Sequence, residues 1–158
     1  GNAVDFGDST LGSESAGGFA SHTRFFYLIG GSPSNAIDFV NIMTTGNAAD
    51  FGDATAGTFF RAGTSNSTRG LMAGGDGSPA DINVIDFVSI ASTGNATDFG
   101  DLLAPTYNFA GTSNSSRGVF ASGSTNVIQY ITIDTPGNAT DFGDLTVSAG
   151  NIAACSGD

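Results

Sequence analysis

Lysine and tryptophan are absent from the chain, and cysteine and histidine occur once each. With Cys155 alone, no disulfide can form within the chain and no metal site can rest on thiolates. Four arginines against 15 acidic residues leave a net charge of −11. Such a charge repels phosphate backbones and anionic headgroups, so nucleic acid is not an expected partner. No apolar run approaches the roughly 18 residues of a spanning helix, so membrane insertion is not expected. Neither a start methionine nor a signal peptide opens the chain, which suggests a processed polypeptide or a piece of a longer one.

Glycine is abundant, at 24 residues, and so is phenylalanine, at 13. Many aromatics and few charges oppose disorder, and 158 residues suffice for one domain with a core. A surface solvated by Asn, Ser, Thr and Asp fits a secreted or particle-borne protein.

One phrase recurs four times: GNAVDFGD at 1, GNAADFGD at 46, and GNATDFGD at 94 and 137. Its first aspartates, Asp5, Asp50, Asp98 and Asp141, are 45, 48 and 43 residues apart. Periods of this length mark supersecondary units that bury their faces against neighbours. From Asp5 to Arg24, Asp50 to Arg69 and Asp98 to Arg117 the step is always 19. From Asn35 to Asp50, Asn83 to Asp98 and Asn126 to Asp141 it is always 15. Only the middle varies, with 11, 14 and 9 residues from Arg24, Arg69 and Arg117 to the next of those asparagines. One loop absorbs every insertion.

Each unit reads as four strands. GFASHTR, GTSNSTR and GTSNSSR hold the first strand and a polar hairpin turn. RFFYLIGG, RGLMAGG and RGVFASG form an apolar second strand running into glycines, with pairs at Gly30-Gly31 and Gly74-Gly75 that weaken to Ser122-Gly123. NAIDFVNI, NVIDFVSI and NVIQYITI are rich in β-branched and aromatic residues, as third strands should be. Gly-Asn then predicts a tight hairpin turn, and DFGD a fourth strand whose glycine marks a bulge or a close backbone contact. In NVIDFVSI, Ile85 and Phe87 face one way while Val84, Val88 and Ile90 face the other. Apolar residues on both faces predict a sheet covered on both sides. No sustained helical period is present, so the expectation is an all-β chain with essentially no helix.

This order of strands, with glycine pairs after the second, resembles the kelch repeat, although Phe6, Phe51, Phe99 and Phe142 stand where kelch units carry tryptophan. The full phrase, TGNATDFGDL followed by a small-residue strand and an S-T/S-R-G turn, is similar to repeats in virion and tail-fibre polypeptides of marine bacteriophages, cyanophages among them. The resemblance implies four-stranded blades of a β-propeller. It divides residues 1–158 into blades near 18–55, 57–103 and 108–147, with partial units at 1–10 and 150–158. Three full units fall short of the usual four to eight blades, so a segment of a longer repeat protein, or a homopolymer pairing its exposed edges, is expected.

The DFG within the phrase is also a kinase signature. Phosphoryl transfer would need a phosphate loop, a strand lysine and a catalytic-loop Asp, and the chain has no lysine. Sialidase-type Asp boxes and the clustered His and Tyr ligands of copper propellers are missing as well, so no enzyme activity is expected. Calcium on pairs such as Asp98 and Asp101 stays open, since that ion takes oxygen ligands; otherwise no cofactor is expected. The leading expectation for the four motifs is structural: phenylalanine packs between units while Asp50, Asp98 and Asp141 accept backbone or arginine hydrogen bonds.

Arg24, Arg69 and Arg117, at one repeat position, are expected to clamp an aspartate in bidentate fashion; a ring of arginines gripping an anion is the alternative. His22 falls in a hairpin turn, and Cys155, aligned with Thr112, is expected to be small and buried. Asn66, Asn95, Asn114 and Asn138 head N-glycosylation patterns.

Recognition is expected in the variable loops, at 32–34, 76–82 and 124–125, because a rigid scaffold leaves binding to its loops. In the longest, Asp76, Ser78 and Asp81 offer acceptors to sugar hydroxyls or a cation. Tyr27 and Tyr107, outside the repeat pattern, could stack on a sugar ring or pack in the core. The functional expectation is a non-enzymatic adhesin of a virion fibre or extracellular appendage, recognising a host-surface glycan or protein. The alternative is a purely structural subunit that assembles with other copies.

Overall fold

The computed structural model describes residues 1–12, 17–29, 34–121, 123 and 125–156, and all regular elements there are strands. Gly30-Gly31, Ser32 and Pro33, Ser122 and Ser124, all named in the repeat or its loops, lie outside the described residues. Sheet I comprises β1 (Gly17–Ala20), β2 (Arg24–Leu28), β3 (Ala36–Asn41) and β4 (Ala49–Asp53). Sheet II comprises β5 (Ala62–Ser65), β6 (Arg69–Ala73), β7 (Val84–Ser89) and β8 (Thr97–Asp101). Sheet III comprises β9 (Ala110–Ser113), β10 (Arg117–Ala121), β11 (Val127–Thr132) and β12 (Thr140–Asp144). Within each sheet the strands pair antiparallel in chain order. The protein is an all-β repeat of three four-stranded antiparallel sheets.

Local chemistry explains the turns. Asn66 Oδ1 accepts the amides of Thr68 and Arg69 at 2.9 and 2.8 Å, and Asn114 Oδ1 accepts those of Ser116 and Arg117 at 3.0 and 2.8 Å. In sheet I the Ser21 hydroxyl takes the Arg24 amide at 3.1 Å. Short polar side chains that bond ahead to the backbone close such hairpins. The arginine that follows each turn opens the second strand.

The DFGD strands are bulged. Ile37 pairs with Gly52 but Asp38 with Asp50, leaving Phe51 as the extra residue, and the same shift recurs beside Ile85 and Ile128. Asp50 Oδ1 accepts the amide of Gly52 at 3.1 Å, and Asp141 does the same for Gly143 at 3.0 Å. The aspartates therefore hold the bulge of their own strand.

The Gly-Asn pair does not form the hairpin tip expected of it. Reversal comes earlier, where Thr44, Ser92 and Thr135 donate to Asn41, Ser89 and Thr132. Gly-Asn-Ala instead runs beside the fourth strand of the preceding sheet. Gly94 and Ala96 donate to the carbonyls of Phe51 and Asp53 at 2.8 and 2.7 Å, and Gly137 and Ala139 do so to Phe99 and Asp101. An edge strand left open is a template for unwanted pairing, and these turns cover it.

The core lies in the seams between sheets. Phe26, Ile37 and Phe51 of sheet I meet Met72, Val88 and Ile90 of sheet II, while Leu71, Ile85 and Phe99 meet Phe120, Ile131 and Ile133 of sheet III. Sheet II is thus apolar on both faces, with Ile85 and Val88 in opposite seams. Phe51 and Phe99 are 2% and 3% exposed, each such burial stabilising by about 1.5–3 kcal/mol. Phe6 and Phe142 depart from the expected burial, at 40% and 54% exposed. They occupy the same place in the phrase, but each stands at an end of the stack, where a neighbouring sheet would have to cover it.

Candidate functional site

The loop 76–82 leaves sheet II between β6 and β7. Its base is tightly built. Asp76 and Phe59 exchange backbone hydrogen bonds, both at 2.9 Å, and Ile82 donates to the Gly75 carbonyl at 3.0 Å. Gly75 in turn donates to the Thr106 carbonyl at 2.9 Å, and the Thr106 amide reaches the Ile82 carbonyl at 3.3 Å. These bonds bring the segment before Tyr107 against the loop. A row of rings follows, with Phe59 and Phe60 centred 6.3 Å apart and Phe60 and Tyr107 6.2 Å apart. Asp76 and Asp81 are half-buried, and Ser78 is exposed with Pro79 and Ala80.

Of the expected recognition residues, Asp76, Ser78 and Asp81 lie on this loop, and Tyr107 follows the Thr106 that bonds its base. Tyr27 is elsewhere. It lies on the outward face of sheet I, its ring edge-on to Phe25 at 4.4 Å, in a cleft that also holds Phe6. Of the shorter variable loops, Ser34 and Thr125 are the described remnants.

The residues beneath the loop were not singled out from the sequence. Arg61 Nε donates to the Gly74 carbonyl at 3.1 Å and Nη1 to Asp86 Oδ2 at 3.1 Å. Asp86 also accepts the amide and hydroxyl of Thr55 from sheet I, at 3.2 and 2.6 Å. Burial holds the Arg61 guanidinium below its ordinary range, and the adjacent Asp86 carboxylate offsets only part of that. This buried ion pair ties the loop base, the third strand of sheet II and the end of sheet I into one unit. Two signals for it were in the sequence. Arg61 alone of the arginines breaks the repeat register, and Asp86, like Asp38, interrupts an apolar strand.

The recurrent arginines differ from expectation. Arg24 lies over the ring of Phe39 at 4.9 Å and donates Nη1 to the Ile90 carbonyl at 2.8 Å. Arg69 lies over Phe87 at 4.9 Å and donates to the Ile133 carbonyl at 3.0 Å. Arg117 lies over Tyr130 at 4.5 Å. In place of a carboxylate clamp, each cation covers an aromatic of its own sheet, and two of them bond a carbonyl of the next. The carboxylates of Asp50 and Asp141 accept the bulge amides of their own strands instead.

The hairpin turns of the three sheets line up around a polar groove of about 370 Å³ that includes His22, Ser67, Ser115 and Ser156. The Ser65 hydroxyl donates to the Ala20 carbonyl and the Ser113 hydroxyl to that of Ser65, both at 2.6 Å. Cys155 is exposed and free, contrary to the burial expected of it. The described residues around it form no strand. The carboxamides of Asn66, Asn95, Asn114 and Asn138 all accept backbone amides. Among the described residues no three His, Cys, Asp or Glu side chains cluster as metal ligands, and no helix is long and apolar enough to cross a membrane.

No protein-family model matches the chain, and no curated protein sequence matches it.

Proposed function

We propose that the chain is a kelch-like β-propeller segment of a virion fibre or similar extracellular appendage, and that it serves adhesion rather than catalysis. Wedge-shaped packing supports the propeller reading. First strands approach most closely: a Cβ on Gly63 would lie 2.3 Å from the Gly18 carbonyl oxygen, and one on Gly111 2.6 Å from that of Gly63. Fourth strands are held apart by an interposed Gly-Asn-Ala turn. Sheets close at one edge and spaced at the other fan around an axis.

The observation that carries adhesion is the anchored loop. Asp76, Ser78 and Asp81 share a loop whose base is fixed by Arg61 and by the backbone of Thr106, next to Tyr107, which supports hydroxyl acceptors and an aromatic ring acting together. Carboxylates and a ring suit the hydroxyls and the apolar face of a sugar. The ligand class is a host-surface glycan or protein. Replacing 76–82 by Gly and Ser should abolish binding to cells or glycan arrays with the circular dichroism unchanged. Retained binding after that swap would defeat the adhesion reading and favour a structural subunit, which the exposed Phe142 at the end of the stack also suits.

A further inference from the structure

Residues 1–10 occupy, on the outward face of sheet I, the place that a fourth strand takes at the other seams. Gly46 and Ala48 donate to the carbonyls of Phe6 and Asp8, both at 2.8 Å. Asn47 Oδ1 accepts the Asp8 amide at 3.0 Å, and the amide and hydroxyl of Thr10 bond Asp38. Gly94, Ala96, Asn95 and the Thr55–Asp86 pair repeat this set one sheet on. Beyond Phe6, however, the face is only partly covered: Val40 is buried, but Phe25 and Tyr27 are half-buried and Ile42 is exposed. A cleft of about 260 Å³ is bounded by Phe6, Phe25, Tyr27, Val40 and Ile42. Their counterparts in sheet II, Met72, Val88 and Ile90, are buried beneath sheet I.

The opposite end of the molecule carries the matching half. Val119, Ile128 and Tyr130 are only half-buried and Phe142 is exposed. Residues 141–144 repeat residues 5–8 letter for letter, and Thr146 stands where Thr10 does. A Cβ on Gly7, Gly52 or Gly100 would strike the docked glycine of a Gly-Asn-Ala turn within 2.5 Å, whereas one on Gly143 would meet nothing within 4 Å. Side-chain sizes also match. Phe19 lies over Gly70, where a Cβ would come within 1.9 Å of the ring. Between sheets III and I the pair is reversed, with Thr112 in the place of Phe19 and Phe25 in the place of Gly70.

We propose that the outward face of sheet I is a docking surface for a second copy of this chain, whose β12 and Thr146 take the place of residues 1–10. The inference rests on the stacked-repeat reading above and names its partner. The exchange replaces hydrogen bonds one for one, because the two segments share DFGD and the threonine. Sheet-on-sheet burial of the two apolar faces is the added driving force. Residues 1–10 act as a plug, and association requires their release. Such a contact is head-to-tail, closing into a ring or extending into a filament according to its rotation.

Matched substitutions in the intact chain test this by sedimentation over a concentration series. Phe6→Ser loosens the plug and should strengthen association about tenfold or more; Phe142→Ser weakens the incoming face and should reduce it by a similar factor. Effects of the same sign, or a chain that stays monomeric in all three forms, overturn the proposal. Should either variant fail to fold by circular dichroism, a synthetic peptide of residues 137–147 added to isotope-labelled intact chain decides. Shifted amide signals at Gly46 and Ala48 support the exchange, and unshifted ones at roughly millimolar peptide overturn it. Cell and glycan binding through 76–82 is read separately, so either reading can fail while the other stands.

Discussion

Asn95 reaches across the seam between sheets I and II, its carboxamide oxygen accepting the backbone amide of Asp53 at 3.1 Å. Asn47 does the same for Asp8 at 3.0 Å, and Asn138 for Asp101 at 3.1 Å. With the two backbone bonds from the flanking Gly and Ala, each Gly-Asn-Ala turn completes the hydrogen bonding of a neighbour's edge. The recurrence of GNA with DFGD therefore has one cause: the first half of each phrase docks on the second half of the phrase before it.

Asn95→Ala should cost about 1 kcal/mol, the net value of one such bond, read as a lower melting temperature. Asn95→Asp keeps an acceptor and should cost less. Asn2, exposed and ahead of the first seam, provides the control, and Asn2→Ala should leave the melting temperature unchanged. A loss at Asn2 equal to that at Asn95 would refute the docking role.

Gly100 and Gly143 share a backbone conformation, with φ of 147° and 142°, but differ in surroundings. A Cβ on Gly100 would stand 2.5 Å from the carbonyl oxygen of Gly137; on Gly143 it would be free. Gly143→Ala should show conformational strain alone, about 1–3 kcal/mol. Gly100→Ala adds the clash and should cost roughly 1–3 kcal/mol more in urea unfolding. Equal costs would mean that the glycines are kept for φ and not for the docked turn.

Much of this architecture was legible in the sequence. Constant spacings of 19 and 15 residues set the units apart, and NVIDFVSI, apolar on both faces, announced that sheet II is covered on both sides. The variable length between Arg69 and Asn83 located the loop whose base bonds Thr106. Partner choice across the seams was not legible. Gly-Asn has the composition of a hairpin tip, and only the neighbouring sheet turns it into a backbone ligand. Arg69 and the DFGD carboxylates look like ion-pair partners by charge, yet the bulge claims the carboxylates and a ring claims the arginine. Phe6 and Phe142 share the DFGD context of Phe51 and Phe99; among the described residues no sheet covers them, and that sets their exposure.

Arg61 and Asp86 should be strongly coupled. Removing one partner leaves the other charge buried, so Arg61→Met should destabilise by about 3–5 kcal/mol. The Gly74 carbonyl also loses its donor, and hydrogen exchange at the amides of Gly75 and Ile82 should speed up more than at Leu71. Arg61→Met with Asp86→Leu should recover much of the stability, as buried pairs replaced by apolar groups often do. If the double variant is as unstable as the sum of the single ones, the pair is not acting as a unit.

Arg69 and Arg117 separate the two jobs of the recurrent arginine. Both guanidiniums cover an aromatic ring, Phe87 and Tyr130. Arg69 in addition bonds the Ile133 carbonyl across the seam, whereas Arg117 is exposed at the end of the stack. Arg117→Ala should therefore cost about 0.5–1 kcal/mol, the value of an exposed cation on a ring. Arg69→Ala should cost about 1 kcal/mol more, because a carbonyl at the seam loses its donor. Arg69→Lys keeps the charge but not the planar fork, and should fall between the two. Chemical unfolding of the three variants measures this directly: if Arg69→Ala is no worse than Arg117→Ala, the bond to Ile133 adds nothing and the arginine is kept for its ring alone.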